Sequence, residues 1–301
     1  MNFLTEPFQY EFFRNGLLAA LVIGALCGLM GVYIVLRKMS YIGHGLSHSV
    51  FGGAVVSYLV GINFFLGAGA WGFLSALLIN RAARKRGIGA DAAIGIITTA
   101  SFALGVALIS KTRSFSRDFE SALFGNILGV TRQDIVVMSA VAIVVAIAVA
   151  VFYKQLLFST FDPEIAPIYG VHSQWVETGF ALALAATIVA SLNVVGATLI
   201  AAAIVIPSTT ARQLTDSFGR MLVLSTVIGA LCGVAGMYGS YWFDIASGAA
   251  IVLFSAAVFA AVLCFTSLRN KLRRRHALNT SADAALTGAE VIEVPATGVA
   301  D

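Results

Sequence analysis

Long apolar runs decide most of what this chain can fold into. Stretches at roughly 15–36, 42–60, 62–80, 91–110, 134–153, 175–192, 194–211, 220–242 and 246–267 each come close to the length a helix needs to cross a bilayer, about 20 residues. Inside hydrocarbon every backbone N–H and C=O must be paired within the spanning structure, which a helix achieves by itself. Charge points the same way. Asp, Glu, Lys and Arg make up 11% of the 301 residues, against roughly 25% in soluble domains, too little to solvate a globular surface. The sequence predicts an all-α integral membrane protein of about nine transmembrane helices, about eight to ten being compatible with the runs.

Lys and Arg set the orientation. With the N-terminus outside, the inner connections hold Arg37, Lys38, Arg81, Arg84, Lys85, Arg86, Lys154, Arg212, Arg220, Arg269, Lys271, Arg273, Arg274 and Arg275, and the outer ones Arg14, Lys111, Arg113, Arg117 and Arg132. Positive residues favour the cytoplasmic side of short loops, so the expectation is N-out and C-in. The net charge of +4 is therefore a topology signal, and no nucleic-acid partner is expected. Cys27, Cys232 and Cys264 all fall inside apolar runs and read as small core residues. The opening MNFLTEPFQYEFFRNG lacks a basic segment followed by a short apolar core, so no cleavable signal peptide is expected.

The chain divides into an N-terminal segment (1–14), a polytopic membrane domain (15–267) and a cytoplasmic tail (268–301) that is first basic, then polar and disordered from about 276. Residues 111–133 carry too many charges to span but end in LFGNILGV, which could be re-entrant. IGALCGLMGVY at 23–33 is echoed by IGALCGVAGMY at 228–238. Each contains a Gly-x-x-x-Gly pair that lets helices approach closely. The two run in opposite directions, as an inverted repeat requires, although shared small-residue packing accounts for the likeness more simply.

Three constellations carry chemistry. His44 and His48 are four apart, which on a helix puts both on one face with Cβ atoms about 5–6 Å apart, so both imidazoles can reach one metal ion. Ionisable groups inside a span usually face a cavity or pathway. The bland alternative is a hydrogen-bonded pair between helices. Imidazole suits zinc, iron, nickel and copper, whereas manganese usually takes more carboxylate. A metalloprotease would need Glu after the first histidine, and Gly45 stands there.

The second is Phe161-Asp162-Pro163-Glu164-Ile165-Ala166-Pro167-Ile168-Tyr169-Gly170-Val171. Asp162 suits an N-cap, Pro163 a first helical position and Gly170 an exit, while Pro167 should bend or shorten the helix. A short helix lying on the inner face could receive force from a cytoplasmic motor, or simply be a capped loop. The third runs from Val194-Val195-Gly196-Ala197-Thr198 to Pro207-Ser208-Thr209-Thr210. Pro207 frees a carbonyl that the adjacent Ser208, Thr209 and Thr210 hydroxyls can satisfy, a simple kink being the default and a pathway role the alternative.

Together VVGATLIAAAIVIPSTTAR, LRKMSYIGHGLSHSVFGG, FDPEIAPIYGV, ADAAIGIITTASFALGV and FDIASGAAIVLFSA resemble the ABC-3 type of permease, which serves binding-protein-dependent zinc, manganese and iron importers. The resemblance covers about residues 15 to 267. It implies a permease working by alternating access with a separate cytoplasmic ATP-binding subunit, an extracytoplasmic solute-binding protein and a second permease copy, in the bacterial inner (plasma) membrane. It implies that His44 and His48 line the metal pathway, His44 replacing the Asp usual in Gly-Asp-x-x-x-His. Asp162, Glu164 and Gly170 become contact candidates for the ATPase, in what is similar to the family's coupling helix. Asp91 matches an acidic position whose role is read no further than helix capping.

The function classes separate on residues. A P-loop ends in Gly-Lys-Ser/Thr, and the five lysines follow Arg37, Arg84, Ser110, Tyr153 and Asn270, so this chain is not expected to be an enzyme or to hydrolyse ATP itself. A gradient-driven secondary transporter or channel is the alternative. Such proteins place Asp, Glu or Lys near the midplane, and apart from the histidines and Glu177 near a span end the apolar runs hold almost none. No permanently bound cofactor is expected; the metal is cargo.

Overall fold

The structure is a computed structural model that describes residues 5–83, 89–112, 123–162, 166–170 and 172–286. These residues form ten α-helices: α1 Glu11–Leu36, α2 Ser40–Val60, α3 Phe64–Ala83, α4 Ala90–Thr112, α5 Arg132–Val151, α6 Tyr153–Phe161, α7 Ser173–Val195, α8 Ile200–Leu214, α9 Phe218–Phe243 and α10 Ser247–Leu286. No strand is present among them. Seven helices (α1, α3, α4, α5, α7, α9 and α10) are long and apolar enough to cross a membrane. The other two long elements fall short for different reasons. The polar His and Ser residues of α2 dilute its apolar run, and α8 has 15 residues, about 22 Å of helix at 1.5 Å per residue.

The helix ends follow local chemistry. Gly61, at φ +75°, closes α2 in the left-handed conformation that glycine adopts without strain. Thr131 and Asp134 cap α5 reciprocally, the Thr131 side chain accepting from the Asp134 amide and the Asp134 side chain accepting from the Thr131 amide. Arg37, Lys38, Arg81, Lys154, Arg212 and Arg220 all fall at one end of the helices or in the links between them, which makes that the basic end of the bundle.

Helix α1 is the axis. Phe13, Cys27, Met30, Val32, Tyr33 and Ile34 are fully buried along it, and it packs on α9, α8, α5 and α7. Its closest partner is α9. A Cβ added at Gly24 would overlap the Gly229 carbonyl, one at Gly28 the Ser225 carbonyl, and one at Gly233 the Ala20 carbonyl. Each advance of four residues on α1 is matched by a retreat of four on α9, the register of an antiparallel pair. The two IGALCG segments therefore pack directly on each other, backbone against backbone.

A second group, α2 with α3 and α4, joins the first through α7 and α8. Small residues set its spacing as well: a Cβ at Gly52 would overlap the Ser101 carbonyl of α4, and one at Gly67 the Ser57 side chain. Helix α5 lies at the rim, with Val136, Ile143, Val144, Ile147 and Val151 exposed as lipid-facing residues would be.

Two expectations need correction. The last helix continues to Leu286, so the tail is helical beyond 276; HALNTSADAAL at 276–286 is rich in Ala and Leu and holds no Gly or Pro. The break between α7 and α8 falls at Gly196–Leu199, a few residues later than the apolar runs indicated. The stretch 123–130 is a packed connection, with a 3-10 turn at Ile127–Gly129. It is pinned where the Thr198 amide and Oγ1 both donate to Leu123 O, at 3.2 and 2.7 Å. Gly125 and Gly196, at φ +80° and +83°, face each other there so closely that a Cβ on Gly196 would overlap the Gly125 amide.

Candidate metal pathway and inner loop

His44 and His48 lie one turn apart on α2, and their Nε2 atoms approach to 3.2 Å. The rings meet edge to face with centroids 4.5 Å apart. The local sequence explains the placement. Gly45 turns its missing side chain to Ile94 and Thr98, and Gly52 sits under Ser101, so α4 comes close enough to set the Phe102 ring 4.9 Å from the His48 ring. Tyr41, 5.8 Å from the His44 ring, continues this face toward the basic end and is exposed. Both histidines are half-buried, His44 beside the Tyr41 ring and His48 against the Phe102 ring.

The pair can do one of two things. Alone, one imidazole donates its Nε2 proton to the other, with roles fixed by the tautomers. With a metal ion 2.0–2.1 Å from each nitrogen, a 3.2 Å separation corresponds to an N–metal–N angle of roughly 100°, suited to tetrahedral or octahedral geometry. His48 Nδ1 is buried without a hydrogen-bond partner among the described residues. Among the described residues no group of three or more His, Cys, Asp or Glu forms a metal cage. The described residues thus bring two imidazoles, and no third such group, to this point.

The inner-loop residues lie at the basic end. Asp162 follows the last turn of α6, and its carbonyl accepts from the Ala166 amide at 3.1 Å. The chain then forms a 3-10 turn, Ala166–Tyr169, shortened by Pro167, whose ring prevents the regular helical hydrogen bond at that position. Gly170 leaves the turn at φ +75°, as its exit role requires. Pro163, Glu164 and Ile165 lie outside the described residues.

Sequence reasoning passed over the apolar neighbours. Phe161, Ile168 and Tyr169 are 60, 82 and 67% exposed, and Phe158 stacks on Tyr169 with centroids 5.4 Å apart. Apolar residues between two prolines and a glycine, in an otherwise polar connection, were the signal that could have found them. Apolar groups exposed together in this way are available to lipid or to a partner.

Pro207 lies inside α8, and Ser208 and Thr209 follow it. Their hydroxyls do not reach the carbonyl of Ala203 that the proline leaves free. Ser208, Thr209 and Thr210 bond instead to the carbonyls of Ile204, Val205 and Ile206, at 3.1, 2.8 and 2.8 Å, because a helical hydroxyl reaches back to its own i−4 carbonyl. Ser208 is fully buried at the α1–α8–α9 junction. There Ser225 Oγ donates to Gly28 O, and Ser208 Oγ lies 2.9 Å from Ser225 Oγ with Gly28 O, at 3.2 Å, as an alternative acceptor to Ile204 O for its one proton. The structure thus brings Ser208 into helix packing. Asp91 is exposed in the first turn of α4, where a carboxylate meets the positive end of the helix dipole.

Comparison with known proteins places these features. A model of the ABC 3 transport family matches residues 9–266. The chain is 40% identical over 265 residues to the manganese transport system membrane protein MntC of Listeria monocytogenes, covering 88% of this chain and 94% of that one. It is 33% identical to a probable iron transport system membrane protein of Haemophilus influenzae, covering 89% and 98%. Among solved structures it is similar to PsaBC from Streptococcus pneumoniae in complex with Fab, with TM-score 0.78, 34% identity and coverage of 86% of this chain and 94% of that chain.

Proposed function

Since the chain belongs to the ABC 3 transport family, we propose that it is the membrane permease of an ATP-driven importer of divalent transition metal ions, manganese or iron before zinc. The order follows the manganese and iron transport for which its relatives are named, whereas two imidazoles alone would favour zinc or iron. It is a multi-pass bacterial membrane protein and a transporter subunit, with its ATPase on a separate chain. An extracytoplasmic binding protein delivers the ion.

The observation that carries the reading is the 3.2 Å approach of His44 and His48 Nε2 on a half-exposed face of a helix embedded among membrane helices. Such a pair holds a metal ion weakly enough to release it, which a carrier needs and a structural site avoids. A second copy of the chain, related by a two-fold axis through this face, supplies the remaining ligands, so the pathway runs between two permeases. Nine helices then cross the membrane, α2 and α8 included, with the N-terminus outside and the basic end in the cytoplasm. Asp162, Gly170, Glu164 and the exposed Phe161, Ile168 and Tyr169 form the face that meets the ATPase. Alternating access is the corresponding mechanism: ATP-driven closure below rearranges the helices and passes the ion inward.

Proteoliposomes containing the permease, its ATPase and its binding protein test this with radiolabelled manganese, iron and zinc. ATP-dependent uptake of manganese or iron, abolished by His44→Ala/His48→Ala while assembly with the ATPase persists, is expected. Uptake that follows a proton gradient and ignores ATP would replace the reading with a secondary transporter. Unaltered uptake in the double variant would remove the histidines from the pathway.

A further inference from the structure

Arg37 closes α1 at the basic end, and its side chain is half-buried. Nε donates to Thr160 Oγ1 at 3.1 Å, Nη2 donates to Ser159 Oγ at 3.4 Å, and the guanidinium carbon stands 4.5 Å from the centroid of the Phe180 ring. One side chain thus joins three elements: α1, which carries it, α6 through both hydroxyls, and α7 through Phe180. Thr160 Oγ1 in turn donates to Leu156 O at 2.6 Å, which fixes the lone pairs it presents to Arg37.

Helix α6 is otherwise tied to α9 at its two ends, where Tyr153 and Phe161 meet the Phe218 ring with centroids 5.5 and 6.0 Å apart, and it buries little between them. Its buried residues are Leu156 and Ser159, and Ser159 is one of the two that Arg37 grips. Beside this contact lies a cavity of about 370 Å³ whose walls include Arg37, Asn80, Ile94, Thr160 and Glu177. Helix α6 is therefore backed by space on the side facing α2, α3 and α4. Close-packed interiors resist small displacements, whereas an element held by a polar clamp over a void can shift without repacking a core. The C-terminal end of α6 leads straight into Asp162 and the exposed turn, to which Phe158 also stacks.

We propose that Arg37 is a positioning residue that transmits movement of the inner loop through α6 to α1, making it the mechanical link between ATP turnover and the pathway helices. The inference rests on the ATPase-facing role given to that loop. The chemistry requires arginine. A planar guanidinium makes two diverging hydrogen bonds while stacking on an aromatic ring, and the point charge of lysine cannot do both. A displaced α6 therefore pulls on α1, and α1 carries the displacement into α9 through the Gly24, Gly28 and Gly233 contacts.

The test measures metal ions imported per ATP hydrolysed by the reconstituted complex, alongside recovery of the ATPase with the permease. Arg37→Lys and Thr160→Val are the variants, since one keeps the charge and the other keeps the shape. Each is expected to retain assembly and to lower ions imported per ATP by about tenfold, the loss equivalent to one charge-assisted hydrogen bond. In the double variant the two losses should not add, because they remove one contact. Wild-type ions per ATP in both single variants would overturn the proposal. So would loss of assembly in both, which would make the contact a folding determinant. Absence of metal uptake by the wild-type complex would instead sink the transport reading.

Discussion

Gly24 of α1 and Gly229 of α9 meet backbone to backbone, so that a methyl group on either would overlap the carbonyl oxygen of the other. The relationship is reciprocal and continues four residues away in each direction, at Gly28 with Ser225 and Ala20 with Gly233. Without a hydrophobic effect between helices in lipid, association rests on close packing, which small residues allow.

The same chemical change should act with opposite sign at different glycines. Gly24→Ala or Gly229→Ala forces the helices apart and should destabilise the protein by about 1–3 kcal/mol, the range for overpacked cores. At Gly95, inside α4, an added Cβ meets nothing within 4 Å. Gly95→Ala should stabilise by about 0.5–1 kcal/mol through lost unfolded-state freedom. Thermal unfolding of the purified permease in detergent reads both.

Ser208 and Ser225 both reach Gly28 O and contact each other at 2.9 Å. Replacing either by Ala should cost about 1 kcal/mol. The pair of changes should cost measurably less than the sum, since residues in one network are not additive. A double-mutant cycle on thermal stability decides it.

The backbone at Gly196 is at φ +83° and ψ 153°, a region essentially reserved for glycine. Gly196→Ala should lose about 1–3 kcal/mol from strain, in addition to its collision with the 123–125 segment. Thr198→Val, which removes the 2.7 Å bond to Leu123 O, should lose about 1 kcal/mol. Limited proteolysis between helices α4 and α5 should accelerate in both variants.

Exchanging His44 for aspartate tests selectivity. A carboxylate is the harder ligand, and manganese favours it over imidazole. His44→Asp should keep ATP-dependent uptake and raise the manganese-to-zinc rate ratio, measured by competition between the two ions. An unchanged ratio would mean that selectivity is set elsewhere.

The inner turn offers a complementary separation of functions. Ile168→Glu places a charge on a residue that is 82% exposed, so folding should be unaffected. Binding of the ATPase subunit, assayed by co-purification, should be lost while metal binding persists. Glu164→Ala should keep metal binding and lose stimulated ATP turnover.

Much of this architecture was legible in the chain. Helix positions followed from apolar length, and the His44–His48 pairing followed from a four-residue spacing. The IGALCG echo pointed to close packing, but no periodicity could say that the two segments pack on each other. That fact depends on topology across some two hundred residues of chain. The shape of the inner loop was also hidden. Asp162 is a good N-cap by composition, but composition does not say that a separate short helix, α6, runs up to Phe161 just before it. The role of Arg37 could not be read either. Beside Lys38 it resembles one more topology charge, and only the proximity of Ser159 and Thr160 distinguishes it.

The α1–α9 crossing also limits how the protein can move. With peptide planes in contact and no side-chain layer between them, this pair has no lubricant: sliding along the seam would drive carbonyls into one another. The two helices must travel as one rigid strut, and the angular change of a transport cycle has to be absorbed at its ends. Gly196, with its unusual dihedrals, and the short links around Lys38 and Asp244, the two non-glycine residues with positive φ among those described, are the joints available for it.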